Sequence, residues 1–560
     1  MSWPAVPAFS LRLLGALLSG LLLASCFAPM EWHFAAWFAL VPILLVARYS
    51  APWSAFRWGM VCGLAFWIPA LGWLRILAHK GVPAPVAYAG WFVLAAYCAV
   101  YIAVFAMIVS AWFAACGTED WRKNIAATVV IPLLWAGLEY LRSHFASGFP
   151  WNTLGVSQAL AGNQYSTSVC QVAALGGVYA VSALIVLINA GLAVTVIRHR
   201  GVSVGKSYRA HPELTLALLC AGGAVLWGAS VIARQPRSDR PNMVIAVVQP
   251  NIPQLEKWDE DFARPIYDSL DRLTSLAVRA PRPDLVVWPE TSVPFPIFWN
   301  ESLGFMADML TNGVPILAGS TDDRLADKGI IYNSSILMDA SGRPLQVYHK
   351  QHLAPFGEYA PFSSLFSRVV ACVAPDGWTG LTPGTNTVVF RLEKRAQYGF
   401  SALICFEDAF PGLARGAVLA GARLLIDQTN DAWFDVSSGA RQHLAHCVLR
   451  CIENRVPAIR AANTGVSCYI DAVGRIPVDG MLAPLSAEYL TVPVEVPPAD
   501  MRLTLYTKYG DRLFALPCAA LAVLSFLLAI VPIGRLTSRR LACKRVATET
   551  DHTGDTDGRG

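Results

Sequence analysis

The chain has 560 residues, of which 55% are hydrophobic and only 15% charged, with a mean hydropathy of +0.44; soluble domains carry about 25% charged residues, so polar groups cannot cover an ordinary surface here. That balance excludes a disordered chain and a coiled coil, and a net charge of +5 is too small at this length for a nucleic-acid binder working through charge. The thirteen cysteines, spread from Cys26 to Cys543, form neither a disulfide framework nor a CxxC zinc pattern, and most read as small buried apolar residues.

Along the chain, runs nearly free of charge lie roughly at 9–28, 33–47, 58–78, 86–115, 124–140, 168–197, 213–233 and 513–534. Each is close to the ~17–25 residues of a membrane helix, with 33–47 the weakest by length. Leu23-Ala24-Ser25-Cys26 resembles a lipoprotein signal, but its removal would invert the orientation set by the other loops, so the first run is read as a retained helix. The pattern predicts about eight spans: a seven-span membrane domain over 1–235, a globular domain over 236–506, a final span with a basic end over 507–545, and a disordered tail over 546–560. With the N-terminus inside, Arg48, Arg57, Arg122, Lys123, Arg198, Arg200, Lys206, Arg209 and the basic residues of Arg535–Arg545 fall on the cytoplasmic side, while His79 and Lys80, a minority, fall on the other. The globular domain then lies outside the cytoplasm.

Within 236–506, apolar β-rich runs occur at Met243–Gln249, Asp284–Trp288, Pro315–Ser320, Ser334–Asp339, Leu345–Lys350, Ser401–Cys405, Leu424–Gln428 and Ala458–Ala462. Several are continuously apolar, as in strands buried on both faces. Helical patterns intervene at Asp259–Val278 and His443–Arg455. Interleaved strands and helices argue for a layered α/β domain.

Three strand ends carry reactive groups. Val286-Val287-Trp288-Pro289-Glu290 stops at a proline and presents Glu290; Tyr348-His349-Lys350 presents Lys350; Leu403-Ile404-Cys405-Phe406-Glu407 presents Cys405. Together they suit nucleophilic catalysis. A carboxylate can take the thiol proton, an ammonium can stabilise thiolate and oxyanion, and the backbone N–H of Phe406 is a second oxyanion donor. Any one of these residues alone would read as structural.

These residues resemble the nitrilase-like carbon–nitrogen hydrolase superfamily: Glu in W-P-E, Lys in Y-x-K-x-H-L, Cys in I-C-[FY]-E. Further motifs look like those of the apolipoprotein N-acyltransferases: Gln249–Gln254 followed by Lys257-Trp258, Pro355–Tyr359, Asn430–Phe434 and Asn463–Val466, with Gly148-Phe149-Pro150-Trp151 and Phe27-Ala28-Pro29 in the membrane part. The resemblance covers nearly the whole chain except its tail. It implies a multi-pass helical membrane domain plus an α-β-β-α sandwich facing the periplasm, in a bacterial inner membrane. It implies Glu290 as base, Lys350 as oxyanion stabiliser and Cys405 as nucleophile, with Glu358, Phe406, Glu407 and Trp258 in support. It also implies a phospholipid acyl donor such as phosphatidylethanolamine, diacylglyceryl apolipoprotein acceptors, and no cofactor, metal or nucleic acid. Two departures stand out: Phe406 where some members have Tyr, and Gly439-Ala440-Arg441-Gln442-His443 where Gly-Pro commonly precedes Gln-His.

Apolar Phe362, Leu365 and Phe366 share a helical face soon after Lys350, and are expected to form a lid that admits lipid. His443, His446, Cys447 and Cys451 have helical spacing, but give only part of a metal site and read as structural. The competing readings are a membrane-tethered amidase or nitrilase and an inactive domain on a transporter or scaffold. The intact triad argues against the latter.

Overall fold

The computed structural model describes residues 8–117, 120–200, 211–235, 241–257, 259–279, 281–310, 313–360 and 380–530. Trp258, the segment with Phe362, Leu365 and Phe366, the loop with Lys206 and Arg209, and the end from 531 lie outside the described residues.

Among the described residues, five helices are long and apolar enough to cross a membrane: Ala84–Cys116, Trp121–Ser147, Ala173–His199, Pro212–Arg234 and Leu505–Ile530. The pair Pro52–Ala70 and Gly72–His79, bent by 46°, makes a sixth if taken as one span. The expected eight spans are therefore met only in part. The first run gives the short apolar helix Phe9–Ser25. The second divides into a 3₁₀ turn, His33–Trp37, and the helix Val41–Arg48 of 8 residues. At 1.5 Å per residue that helix is about 12 Å long, against a hydrocarbon core of about 30 Å. The backbone at the break is satisfied by protein: Asn189 accepts from the Leu40 N–H at 2.8 Å and donates to the Ala36 carbonyl at 2.9 Å. Irregular backbone inside a helical bundle needs such a partner. Close packing comes from small residues. A Cβ added at Gly63 would lie 2.6 Å from Ala99 on the facing helix Ala84–Cys116, so only glycine permits this approach.

The globular part is an α-β-β-α sandwich. One sheet runs β10 (Glu488–Val494), β1 (Met243–Gln249), β2 (Leu285–Val287), β3 (Ile316–Leu325), β4 (Ile330–Met338) and β5 (Pro344–His349). The other runs β6 (Phe400–Ile404), β7 (Leu424–Thr429), β8 (Ala458–Ala462) and β9 (Cys468–Ile470). Strands β1–β3 and β6–β8 are parallel, and the outer pairings are antiparallel. The facing sides of the sheets share one core, with Val247, Val287, Leu317 and Leu337 from the first and Ile404, Ile426 and Ile459 from the second. Each side chain so buried contributes about 1.5–3 kcal/mol. Helix Ala263–Ala277 covers the outer face of the first sheet through Ile266, Tyr267, Leu270 and Leu273. Helices Pro411–Leu419 and Gly439–Asn454 cover the second, in a core continuous with the membrane helices. All eight anticipated strands form, within a few residues of their expected ends; β9 and β10 were not anticipated.

Candidate active site

Chain geometry brings three strand ends together. β2 ends before Pro289, which has no N–H to continue the ladder, and Glu290 follows. Gly319 on β3 lets that turn sit close, since an added Cβ would lie 2.2 Å from the Pro289 carbonyl. Lys350 leaves β5, and its N–H donates to the Asn333 carbonyl on β4 at 2.8 Å. Cys405 leaves β6 in the left-handed region, φ +53°, a strained conformation for a residue with a Cβ. It opens the 3₁₀ turn Cys405–Ala409.

Lys350 Nζ donates to Glu290 Oε1 at 3.1 Å and to Glu358 Oε1 at 2.9 Å. Asn333 Nδ2 bridges the same two oxygens at 2.8 Å each. The second oxygen of Glu290 accepts from the Asn430 N–H at 2.9 Å, and that of Glu358 from the Ala354 N–H at 2.7 Å. Lys257 Nζ donates to the Glu290 carbonyl at 2.9 Å. Glu290, Lys350 and Lys257 are all buried, and Cys405 is partly exposed.

The charges interlock. Burial opposes ionisation of Glu290, but the ammonium groups of Lys350 and Lys257 outweigh it and hold the carboxyl below its ordinary range. Burial likewise opposes the charge on Lys350, and Glu290 and Glu358 reverse that and keep it protonated. Burial and then the Glu290 charge push the Cys405 thiol well above its usual value, with Lys350 pulling the other way. At neutral pH the site therefore rests as thiol, carboxylate and ammonium. Burial lowers Lys257 to about 8 against the opposing pull of Glu290 and Cys405.

Glu407 does not face the Cys405 thiol. Its oxygens accept from the backbone N–H groups of Ile404, Gln351 and His352 at 2.8, 2.7 and 3.1 Å and from the Tyr348 hydroxyl at 2.9 Å. It ties the turn at Cys405 to the strand end that carries Lys350. Phe406 packs against Phe149 and Trp151 of the membrane part, with ring centroids 6.4 and 6.2 Å apart. Trp151 Nε1 donates to Gln442 at 2.7 Å, and Gln442 donates in turn to the carbonyls of Ala28 and Ala70. The Gly148–Trp151 and Phe27–Pro29 motifs thus meet at one side chain of the globular domain.

Beneath Cys405 lies a buried charged cluster. Arg460 pairs with Asp408, Asp427 and Asp431, and His443 with Asp408 and Asp431. Ligand atoms of Asp408, Asp427 and Cys447 lie within 4.8 Å of one another, yet the Arg460 guanidinium already supplies the positive charge between the two aspartates.

Glu290, Lys350, Cys405, Glu358, Phe406 and Glu407 therefore converge. Sequence reasoning missed Lys257, Asn333 and Asn430 as site residues. Lys257 and Asn430 stood inside quoted motifs. Asn333 had no local signal, because only the β4–β5 register sets it beside Lys350.

The fold and its strand ends define a class: a carbon–nitrogen hydrolase domain joined to a helical membrane domain. Residues 19–191 match the model of the apolipoprotein N-acyltransferase N-terminal domain, and residues 244–500 match that of the carbon-nitrogen hydrolases. The chain is 34% identical over 513 residues to the apolipoprotein N-acyltransferase of Geobacter metallireducens, covering 90% of this chain and 92% of that one. It is 30% identical over 527 residues to that of Chlorobaculum tepidum, covering 88% and 92%. Among solved structures, a cysteine-to-alanine mutant of the Nesterenkonia AN1 amidase from the nitrilase superfamily is 18% identical, with a TM-score of 0.36, over 50% of this chain and 97% of that one. The chain belongs to the apolipoprotein N-acyltransferase family.

Proposed function

We propose that the family's acyl transfer runs here through a thioester on Cys405. The donor is a phospholipid, with phosphatidylethanolamine and its sn-1 chain as the expected choice. The acceptor is the α-amine of a diacylglyceryl-cysteine at an apolipoprotein N-terminus. In the first half, Sγ attacks the ester carbonyl as Glu290 takes the thiol proton. Lys350 and the Phe406 N–H hold the oxyanion. Collapse expels the lysophospholipid alkoxide, which takes the proton back from Glu290. In the second half the amine attacks the thioester, Glu290 accepts its proton, and Cys405 leaves as thiol. The two halves share one site, so the order is ping-pong.

The observation that carries this reading is the double contact of Lys350 with Glu290 and Glu358, with the charges of Glu290 and Lys350 both acting on the Cys405 thiol. Glu358 orients Lys350, and Glu407 sets the separation of the two strand ends. Placement in an inner membrane, with the catalytic domain over 236–506 facing the periplasm, rests on the basic loops. Its parity survives the shortened helices, since Phe9–Ser25 and His33–Arg48 give the same outcome whether both cross or both re-enter. Trp258 and a lid over Phe362, Leu365 and Phe366 remain part of the proposal.

The deciding experiment uses purified protein and a phospholipid labelled in its sn-1 chain. Hydroxylamine-sensitive label should appear on the wild type, vanish in Cys405→Ala, and discharge to a diacylated lipopeptide with a free amine. Label persisting in Cys405→Ala sinks the mechanism. Discharge only to free fatty acid favours a hydrolase.

A further inference from the structure

The turn after the nucleophile is held by one imidazole. His443, buried on helix Gly439–Asn454, places Nε2 3.2 Å from the Cys405 carbonyl oxygen and 3.1 Å from Asp408 Oδ1. Its Nδ1 lies 3.0 Å from Asp431 Oδ1, with the Arg460 guanidinium 2.9 Å away on the same side. Burial works against a charged ring, but Asp408 and Asp431 outweigh burial and Arg460 and raise its pKa to about 10. The ring is thus an imidazolium that directs its Nε2–H to the Cys405 carbonyl, with the Asp408 carboxylate beside it at ion-pair distance.

A trans peptide points its C=O and N–H in opposite directions. A donor that pins the Cys405 carbonyl toward the helix therefore turns the Phe406 N–H away from it, toward the first sheet, where Glu290 and Lys350 stand. As the second residue of its 3₁₀ turn, Phe406 has no carbonyl of that turn within reach of its N–H. A charged donor on one end of a peptide also strengthens the N–H at the other end. The left-handed φ of Cys405 makes such a restraint necessary, because an unrestrained non-glycine residue relaxes out of that region.

We propose that His443 is a positioning residue for acyl transfer: by donating to the Cys405 carbonyl it aims and polarises the Phe406 N–H as an oxyanion donor. This role rests on the Cys405 thioester reading. It predicts a defect confined to the step in which an oxyanion forms.

The test compares two reactions of the same thiol in the full-length protein in detergent. Alkylation of Cys405 by iodoacetamide is a displacement that builds no oxyanion. Single-turnover thioester formation from the labelled phospholipid builds one. His443→Asn, whose amide cannot reach the carbonyl, should keep alkylation within about threefold of wild type. Its thioester formation should fall about 100-fold, the scale of losing one oxyanion donor, with the half-saturating lipid concentration unchanged. His443→Gln, with a longer amide, should recover about tenfold of that loss. Thioester formation in His443→Asn within threefold of a labelled wild type overturns the role alone. Parallel losses of alkylation and acylation, or no recovery in His443→Gln, also overturn it, because they mark a merely structural residue. A wild type with no label on Cys405 overturns the thioester reading and this role with it.

Discussion

Helix Ala263–Ala277 on one outer face of the sandwich and helix Gly439–Asn454 on the other solve opposite problems. Ala263–Ala277 buries one stripe: Ile266, Tyr267, Leu270, Leu273 and Ala277 face the first sheet, while its Arg264–Asp268 pair stands in water at 72% and 61% exposure. Gly439–Asn454 is buried on nearly every side, because the second sheet lies on one flank and the membrane helices on the other. Its polar residues are not a solvated face. Gln442 reaches the membrane loops, His443 reaches the Cys405 carbonyl, and Arg450 and Glu453 pair with each other inside the protein. Polarity on a helix thus means water in one case and specific partners in the other.

The largest break in this contrast should come from the buried pair. Arg450→Leu strands Glu453, whose carboxyl burial already raises to about 7, and should cost about 3–5 kcal/mol by thermal unfolding in detergent. That loss should shrink as the pH falls, because the stranded carboxylate can then take a proton. Gln442→Ala orphans the Trp151 Nε1 and the carbonyls of Ala28 and Ala70. A cost of about 1–3 kcal/mol is expected, with a larger fractional loss of acylation from phospholipid than from a water-soluble thioester. Unchanged selectivity between the two donors would show that the seam only adds stability.

The sign of the pH effect sharpens the same contrast. His443 has its pKa raised from 6.5 to about 10, so its stabilisation is full below pH 6.5 and is lost as pH rises from there to about 10. Wild-type Tm should fall over that window by more than that of His443→Gln; equal slopes would remove the imidazolium from the cluster. On the water-facing helix, Arg264→Ala should cost less than about 0.5 kcal/mol, since an exposed pair is screened, and a loss above 1 kcal/mol would blur the distinction between the two layers.

Much of this was legible along the chain. Glu290, Lys350 and Cys405 each end an apolar run, and a strand end is a local feature that composition reveals. Strands β1, β6, β7 and β8 are buried on both faces along nearly their whole length and announce themselves for the same reason. β10 escaped notice because it is an edge strand of mixed burial containing Pro493, and its partner β1 is some 245 residues away. At 33–47 the expected span is not met by one long helix, because apolar composition hid a break that Asn189 satisfies from another helix. His443 and His446 read as a structural stripe, and nothing local distinguished the one that touches the Cys405 carbonyl from its neighbour one turn on.

The sequence by itself pointed to the membrane character, the sandwich strands and the placing of Glu290, Lys350 and Cys405 at strand ends, because hydrophobic period and strand termination are short-range properties. Only the tertiary structure decided what those residues feel. Asn333, Lys257, Glu407 and His443 act through contacts across dozens to hundreds of residues, and in a buried site the protonation of each group is set by charges that chain distance does not disclose. The same holds for helix Gly439–Asn454, whose polar side chains acquire a purpose only when a sheet and a membrane domain close on it from both sides.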